Sequence, residues 1–503
     1  DDVWVTRIVL VFLVSQCVWI GWDQPGALGW ENDGVAPRDF FTGVADNLLP
    51  GHGHRYPLFH NALLLALCLP VLAIAAICAL ITGVPVVSAV LSVPSMTAVS
   101  LLCKLFHVAL NGAMLLLLAR LARQLFGETA ARACVLFATV SLTIGYYGRV
   151  SNLDGPYMFW SVLALLLSMR VMDRGELGDY RLLGFSIAAS VATKDQAYAG
   201  YVLATPVYLV LLPAFRPGFF AAGRGHFRAL LSTCASALLS YAVLSGAVFN
   251  PTGLWTRVAL LTGPNSQKWR EYARTSAGVL LNVEDLWRAQ SAFFWHWSLV
   301  ALAWAGVVLA LFAPATARER WLRALPFAFA VSSVLMFVIP VARCEHRFVL
   351  PLGVWLCIYG GASIAWLARC RVQIVGRSFL LAAGLGWLAS LWQCVELGLT
   401  QLGDARHGVR AALARLPAGS VVETYGPPVY QPQFDFSAAS PYRVERVGKE
   451  PPRARSRMLH VNEVVDDYVN VSRRQPAAVL VPEGFARWFL AREFRPGEAP
   501  SVR

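Results

Sequence analysis

An acidic segment follows the first long apolar stretch of the chain. Val5–Trp22 is almost uninterrupted apolar sequence, about long enough to cross a bilayer, and the residues after it include Glu31, Asp33 and Asp39. Carboxylates in this position lie at the membrane–water boundary, where one substrate can be embedded in lipid and another dissolved in water. A carboxylate there can take a proton from a hydroxyl or amine nucleophile. The position favours an enzyme that acts on a lipid-linked substrate.

Basic side chains recur between the later apolar stretches, on what we expect to be the same face. They are Arg149, Lys194, Lys268, Arg270, Arg343 and Arg347. Arg or Lys can stabilise the negative charge that develops on a departing lipid phosphate. Carboxylates and bases at one membrane face are what transfer of a sugar from a polyprenyl phosphate would need. A single displacement at the anomeric carbon would invert its configuration.

Other polar residues allow two interpretations. Asp154 could orient a base or an acceptor, or only cap the helix that starts before Pro156. Lys104 and His107 lie about one turn apart inside an apolar stretch, where charge is costly; they could line a lipid groove or satisfy each other. Glu31, Tyr56 and His60 complete the set that we expect on the acceptor or lipid side.

The composition defines the elements that must position these groups. The 503 residues are 57% hydrophobic and only 15% charged, whereas soluble proteins carry about 25% charged residues. The chain is therefore predicted to be a multi-pass integral membrane protein. Its first residue is not Met, so we expect a short N-terminal piece to precede it.

The net charge of +13 reports orientation rather than nucleic-acid binding, because the arginines cluster in short loops. Basic loops face the cytoplasm, so these clusters should share the inner side. The five clusters are Arg120, Arg123 and Arg132; Arg170, Arg174 and Arg181; Arg216, Arg224 and Arg228; Arg318, Arg320 and Arg323; and Arg369, Arg371 and Arg377.

The same rule decides two ambiguous regions. Leu182–Pro213 has clusters at both ends and should cross twice, with its outer turn at Lys194. His60–Leu80 is expected to form a re-entrant or interfacial hairpin, with three passes between Tyr56 and Arg120 as the alternative. The total is about eleven spans, with the N-terminus inside and the C-terminus outside. The remaining spans are Thr97–Leu118, Ala131–Tyr147, Pro156–Met172, Leu230–Phe249, Ser298–Pro314, Pro326–Val341, Phe348–Trp366 and Phe379–Leu397.

The composition changes after about residue 400, where Pro, Arg and Glu become frequent. We expect a transmembrane domain over 1–400 and a small extracytoplasmic α/β domain over 401–503. Its predicted elements are strands Ser420–Tyr425, Tyr442–Val447 and Ala477–Val481 and a helix Phe485–Phe494.

Several other kinds of site lack their sequence signatures. The ten cysteines are scattered, with none after Cys394, and no Cys/His metal spacing occurs. No P-loop, dinucleotide fingerprint or nucleophile elbow is present. We expect no metal site and no cofactor, with the lipid-phosphate sugar as a substrate; a divalent metal is not excluded.

Five short segments resemble motifs of the GT-C superfamily of glycosyltransferases, in particular the protein O-mannosyltransferase and aminoarabinose-transferase group. Asn32-Asp33-Gly34, with the following Arg38-Asp39-Phe40, resembles the first-loop Asp-Glu motif. Arg55-Tyr56-Pro57-Leu58-Phe59 resembles the Pro-Pro-Leu-Tyr-like segment, and Asp154-Gly155-Pro156 the second-loop Asp-x-Pro pattern. Ala192-Thr193-Lys194 and Arg347-Phe348-Val349-Leu350-Pro351 resemble the Thr-Lys and Arg-Tyr-x-Leu-Pro segments.

The resemblance implies a helical membrane fold, a polyprenyl-phosphate-sugar donor and no nucleotide site. It implies Asp33 as the catalytic base and Lys194 and Arg347 as donor-phosphate ligands, with Arg343, Arg149, Lys268 and Arg270 as further candidates. Gly34 replaces the usual Glu, so Asp39 is the alternative base. The expected partners are the lipid-linked sugar, membrane lipids, and a lipid, glycan or protein acceptor.

Two other functions compete with glycosyl transfer. A transporter or flippase for a lipid-linked saccharide would place charges near mid-membrane and show internal repeats, whereas here the charges lie at the outer boundary. A membrane scaffold would not explain carboxylates and bases in several separate loops. The arginine-rich, lysine-poor composition favours a bacterial inner membrane, with the active site and the C-terminal domain in the periplasm.

Overall fold

A computed structural model of the chain describes residues 2–206, 223–264, 270–370, 372–426, 428–435, 440–449 and 461–483. These residues form many helices and one small C-terminal sheet. The predicted fold class, a polytopic helical bundle with a small α/β unit at its C-terminal end, is confirmed.

The helices of the first half are α1 (Val3–Trp19), α2 (Asp39–Leu48), α3 (Leu58–Thr82), α4 (Val86–Val90), α5 (Val93–Phe126), α6 (Glu128–Thr139), α7 (Leu142–Tyr147), α8 (Asp154–Asp173), α9 (Leu177–Thr193) and α10 (Tyr198–Val202). Those of the second half are α11 (Gly223–Leu244), α12 (Pro251–Thr262), α13 (Ser276–Phe293), α14 (Trp297–Phe312), α15 (Ala317–Ser333), α16 (Ile339–Val341), α17 (His346–Leu367), α18 (Gln373–Leu402), α19 (Ala405–Leu413) and α20 (Val471–Arg474).

Seven helices of the described residues are long and apolar enough to cross a membrane, as an integral membrane protein requires. Two shorter apolar helices, α1 and α14, accompany them. The seven segments are Leu58–Thr82, Val93–Phe126, Asp154–Asp173, Phe227–Leu244, Ala317–Val341, His346–Leu367 and Gln373–Leu413.

Helix α17 is the centre of the bundle. Nearly all of its side chains are buried, including Trp355 and Tyr359, and it packs between α6 and α14. The approach to α14 requires glycine at 306, where a Cβ would lie 1.9 Å from the Tyr359 carbonyl oxygen. This close packing fixes the N-terminal end of α17, where Arg347 lies.

Two predicted segments differ from the observed elements. The hairpin proposed for His60–Leu80 is wrong, because α3 is one continuous helix of 25 residues with Pro70 inside it. Its packing against α5, with the thiols of Cys68 and Cys103 3.6 Å apart, supports the helix through the proline.

The predicted span Ala131–Tyr147 is divided into α6 and α7, and the Ser141 hydroxyl caps α7 at the amide of Ile144. Helix α9 ends at Thr193, and Lys194 is extended, so the chain turns where the sequence predicted. Residues 207–213 of the expected second crossing lie outside the described residues.

The C-terminal sheet contains four parallel strands in the order β3-β2-β1-β4. They are β1 (Ser420–Thr424), β2 (Tyr442–Gly448), β3 (Asn462–Val465) and β4 (Ala478–Leu480). Three of them match the predicted strands; β3 was missed because it is short and half polar. The predicted helix Phe485–Phe494 lies outside the described residues.

Candidate active site

The loop between α1 and α2 pairs through its backbone with the loop between α7 and α8, beside the acidic segment. The amide of Val35 donates to the carbonyl of Ser151 at 2.8 Å, and the Ser151 hydroxyl donates to the carbonyl of Ala36 at 3.3 Å. A Cβ on Gly34 would lie 3.1 Å from Glu31 and 3.3 Å from the Ser151 hydroxyl. Glycine at this position therefore allows the two loops to approach.

Asp33 contacts Arg347 directly. The Asp33 carboxylate forms an ion pair with Nη1 of Arg347, and each side chain is 18% exposed. A second carboxylate also pairs with Arg347, because the Arg347 Nε lies 2.5 Å from Oε2 of Glu345. The pair joins residues more than three hundred positions apart in the sequence, the proposed base and a proposed phosphate ligand.

Glu345 extends this cluster to a second arginine. Its other oxygen pairs with Arg343, and Nε of Arg343 lies 3.2 Å from Glu271. The amides of Glu271 and Tyr272 donate to the carbonyl of Ala342, each at 3.0 Å. Arg270 is thereby brought next to the arginine segment, while Lys268 lies outside the described residues.

Glu31 forms a second acidic centre close to Asp33. Its carboxylate accepts hydrogen bonds from the Tyr146 hydroxyl and from Nδ2 of Asn152 at 3.0 Å. Burial raises the pKa of the Glu31 carboxyl, and the Tyr146 and Asn152 hydrogen bonds oppose that rise. Asn152 also accepts from the amide of Asp154 at 3.0 Å, so one side chain connects Glu31 to the start of α8.

Asp154 and Lys194 form a buried ion pair. Nζ of Lys194 lies 2.6 Å from Oδ2 of Asp154, with side-chain exposures of 9% and 0%. Nε2 of Gln196 donates to the other oxygen at 2.9 Å. Asp154 thus does more than begin α8, because it also pairs with Lys194 at the turn after α9.

We expect Lys194→Met to lower the free energy of unfolding by about 3–5 kcal/mol, because it leaves the buried Asp154 carboxylate unpaired. Adding Asp154→Asn should restore most of the loss, since no uncompensated charge remains. Thermal unfolding of the two purified variants checks this expectation. Equal destabilisation in the single and the double variant would contradict the role of the pair.

Three of the predicted site residues have partners other than Asp33 and Arg347. Asp39 pairs at 2.8 Å with Arg55, and both side chains are about half exposed (53% and 43%). Arg149 is buried and donates to Oε1 of Gln401 at 2.6 Å, and burial lowers the pKa of its guanidinium to about 10. Tyr56 is half-buried under the Arg55 guanidinium, 5.0 Å from the ring centre, and burial raises the pKa of its hydroxyl to about 12.

Lys104 and His107 of α5 do not pair with each other, because each has a different partner. Lys104 forms a buried ion pair with Asp23 and donates to the Ile20 carbonyl at 3.0 Å. The His60 and His107 rings share a hydrogen bond of 2.8 Å, and the second ring nitrogen of His107 lies 2.7 Å from the Val150 carbonyl oxygen. These pairs connect α5 to the loop after α1 and to the loop after α7.

Sequence reasoning missed several partners of the site residues. They are Asp23, Tyr146, Asn152, Gln196, Glu271 and Glu345. Glu345 had a local signal, since it stands midway between Arg343 and Arg347. A buried pair of Arg257 and Asp195, 3.5 Å apart, was missed too; burial raises the pKa of Asp195 to about 6.

One wall of an apolar cavity of about 290 Å³ is formed by Tyr146, whose hydroxyl donates to Glu31. It is lined by Leu142, Thr143, Tyr146, Phe293, His346 and Leu397. The Thr143 hydroxyl donates a hydrogen bond to the Phe293 carbonyl, so the walls offer few free hydrogen-bonding groups. A hydrocarbon chain suits such walls better than a polar chain does. Among the described residues, no group of three or more His, Cys, Asp or Glu could hold a metal ion.

Comparison with known proteins gives one family match and several structural neighbours. Residues 85–220 match the family model of the dolichyl-phosphate-mannose-protein mannosyltransferases. No curated protein matches the sequence.

The solved structures that resemble the chain include ArnT from Cupriavidus metallidurans in two states. The structure bound to undecaprenyl phosphate has a TM-score of 0.50 at 14% identity and covers 93% of this chain and 91% of ArnT. The apo structure has a TM-score of 0.50 at 15% identity, with coverages of 96% and 95%. The oligosaccharyltransferase AglB from Archaeoglobus fulgidus, in complex with an inhibitory peptide and a dolichol-phosphate, has a TM-score of 0.44 at 10% identity, with coverages of 85% and 63%.

Proposed function

We propose that this chain, whose fold is that of the GT-C superfamily, is an integral membrane glycosyltransferase that uses a polyprenyl-phosphate-sugar donor. The match of residues 85–220 to a mannosyltransferase family model supports the activity. The observation that carries the proposal is the contact between Asp33 and Arg347. It joins a carboxylate suited to proton abstraction to a cation suited to a lipid phosphate.

The proposed reaction is one displacement with inversion. Asp33 takes the proton of the acceptor hydroxyl or amine while that atom attacks the anomeric carbon. The bond between this carbon and the phosphate oxygen breaks, and the phosphate leaves with the electron pair. Arg347 stabilises the departing phosphate, and Lys194 contributes positive charge beside Asp154.

The ion pair also implies an order of events. Arg347 cannot bind a phosphate fully while it pairs with Asp33. Donor phosphate would compete with Asp33 for the guanidinium, while Glu345 keeps Arg347 in place. Binding of the donor would therefore release the base for the acceptor.

The apolar cavity beside Tyr146 and His346 supports a substrate that carries a hydrocarbon chain. We propose that it accommodates the lipid portion of a substrate next to the carboxylates. The acceptor is a lipid, a glycan or a protein of the cell envelope.

Purified protein offered polyprenyl-phosphate sugars tests the proposal, with release of the polyprenyl phosphate as the measurement. Mass analysis of glycolipids and glycoproteins after deletion of the gene would show which saccharide disappears. Movement of intact lipid-linked saccharide across vesicles without bond cleavage would favour a flippase instead.

We expect the catalytic loops and the C-terminal unit to lie outside the cytoplasm, in the periplasm if the membrane is a bacterial inner membrane. The reason is the alternation of arginine clusters with apolar spans. In a variant whose native cysteines are replaced, a membrane-impermeant thiol reagent should label a cysteine at the exposed position Asn32 and not one at the exposed Arg120. The reverse labelling pattern would overturn the topology.

A further inference from the structure

The segment before the catalytic carboxylates, residues 23–30, is held by an arginine from the far end of the chain. The Arg406 guanidinium in α19 lies 4.0 Å from the ring centre of Trp30 and 5.5 Å from that of Trp22. Asp404 orients this guanidinium through hydrogen bonds of 2.9 and 2.5 Å. Asp404 also accepts from the indole nitrogen of Trp22 at 3.0 Å.

A second contact holds the backbone of the same segment. The side-chain amide of Gln433 accepts from the Leu28 amide at 3.2 Å and donates to the Leu28 carbonyl. A Cβ on Gly26 would come within 2.1 Å of Gln433, so the approach is close. Arg406 itself donates to the Val429 carbonyl at 2.7 Å, which connects both contacts to the C-terminal unit.

Two short links carry these contacts to the catalytic loop. Trp30 is 3% exposed and directly precedes Glu31, and its amide donates to Asp23 at 3.3 Å. Trp22 lies 6.4 Å from the ring of Tyr146, whose hydroxyl donates to Glu31. Arg406 therefore contacts Trp30, which precedes Glu31, and Trp22, which packs near Tyr146; Asn152 holds Glu31 independently.

We propose that Asp404, Arg406 and Gln433 are positioning residues for Glu31 and Asp33. Through them, the C-terminal unit holds the carboxylates of the active site in place. The inference rests on the proposed glycosyl transfer. Catalytic groups act only when neighbouring side chains hold them in place. A planar guanidinium suits this position because it stacks on two indoles and still forms two hydrogen bonds with one carboxylate.

The kinetic test compares Arg406→Ala with Arg415→Ala, a change at an exposed arginine close by in the sequence. Arg406→Ala should lower kcat by roughly 10- to 100-fold, because small displacements of catalytic groups have effects of that size. The KM for the donor should stay near its original value, since the contacts of Arg347 are untouched. Arg406→Lys should recover only part of the rate, and Arg415→Ala should behave as the original protein.

Hydrogen exchange of the loop supplies a measurement that does not depend on activity. In Arg406→Ala, amides of residues 23–35 should exchange faster, whereas those of α17 should not change. Unchanged exchange in this segment would overturn the proposal, and so would faster exchange with an unaltered kcat. If the original protein shows no glycosyl transfer, the proposed function fails and the catalytic role fails with it, while the exchange result still decides whether Arg406 holds the loop.

Discussion

Asp33→Asn should lower turnover by about 100- to 10,000-fold, the range that general-base assistance commonly supplies. The amide keeps the size of the side chain and can still contact Arg347, but it cannot accept the acceptor proton. The protein should therefore insert and fold normally. Single-turnover rates of the purified variant at saturating donor measure the effect on the chemical step.

Two matched variants show whether the effect belongs to Asp33. Asp39→Asn should have a much smaller effect, because Asp39 is about half exposed and pairs with Arg55 rather than Arg347. Glu31→Gln tests the other carboxylate of the loop, which is engaged by Tyr146 and Asn152. Near-normal turnover of Asp33→Asn would remove Asp33 as the base, and a loss confined to Asp39→Asn or Glu31→Gln would assign the role to that residue.

Arg347→Ala should weaken use of the donor by about 2–5 kcal/mol, the usual effect of truncating one partner of a desolvated charge pair. The loss removes the cation that we assign to the phosphate and also leaves Asp33 and Glu345 facing each other without it. Arg347→Lys should restore the activity only in part, because an ammonium cannot bridge two carboxylates as a guanidinium does. The measurement is kcat/KM for the polyprenyl-phosphate-sugar donor.

Arg343→Ala is the matched control for this prediction. Arg343 shares Glu345 with Arg347 but pairs otherwise with Glu271 and not with Asp33. Its removal should reduce donor use less than the removal of Arg347 does. Unchanged donor dependence in both Arg347→Ala and the Lys194→Met/Asp154→Asn double variant would count against the phosphate site.

The sequence was sufficient to predict the membrane fold and to identify the motifs that resemble the GT-C superfamily, because both depend on local properties. A run of apolar residues identifies a membrane helix wherever it packs, and a short motif keeps its order along the chain. Sequence reasoning failed at α3, where we expected a hairpin over His60–Leu80 and the chain forms one continuous helix. It also missed β3, which has little apolar sequence and is stabilised by its pairing with β2.

The candidate site could be predicted only as a set of residue types on one face. Local sequence identified Asp33, Asp154, Lys194 and Arg347 as groups that could do chemistry there. It did not show that Lys194 would form an ion pair with Asp154, or Lys104 with Asp23. Such partners lie tens to hundreds of residues apart, and nothing in the local sequence specifies them.

The sequence by itself determined that this chain spans a membrane and collects carboxylates and bases in its loops, because hydrophobicity and charge act residue by residue. Only the tertiary structure decided which of these groups meet. The packing of α17 against α6 and α14 carries Arg347 to Asp33, and the docking of Arg406 on Trp30 connects the C-terminal unit to Glu31. Ion pairs and cation–π contacts act over a few ångströms, so their existence depends on how distant helices pack.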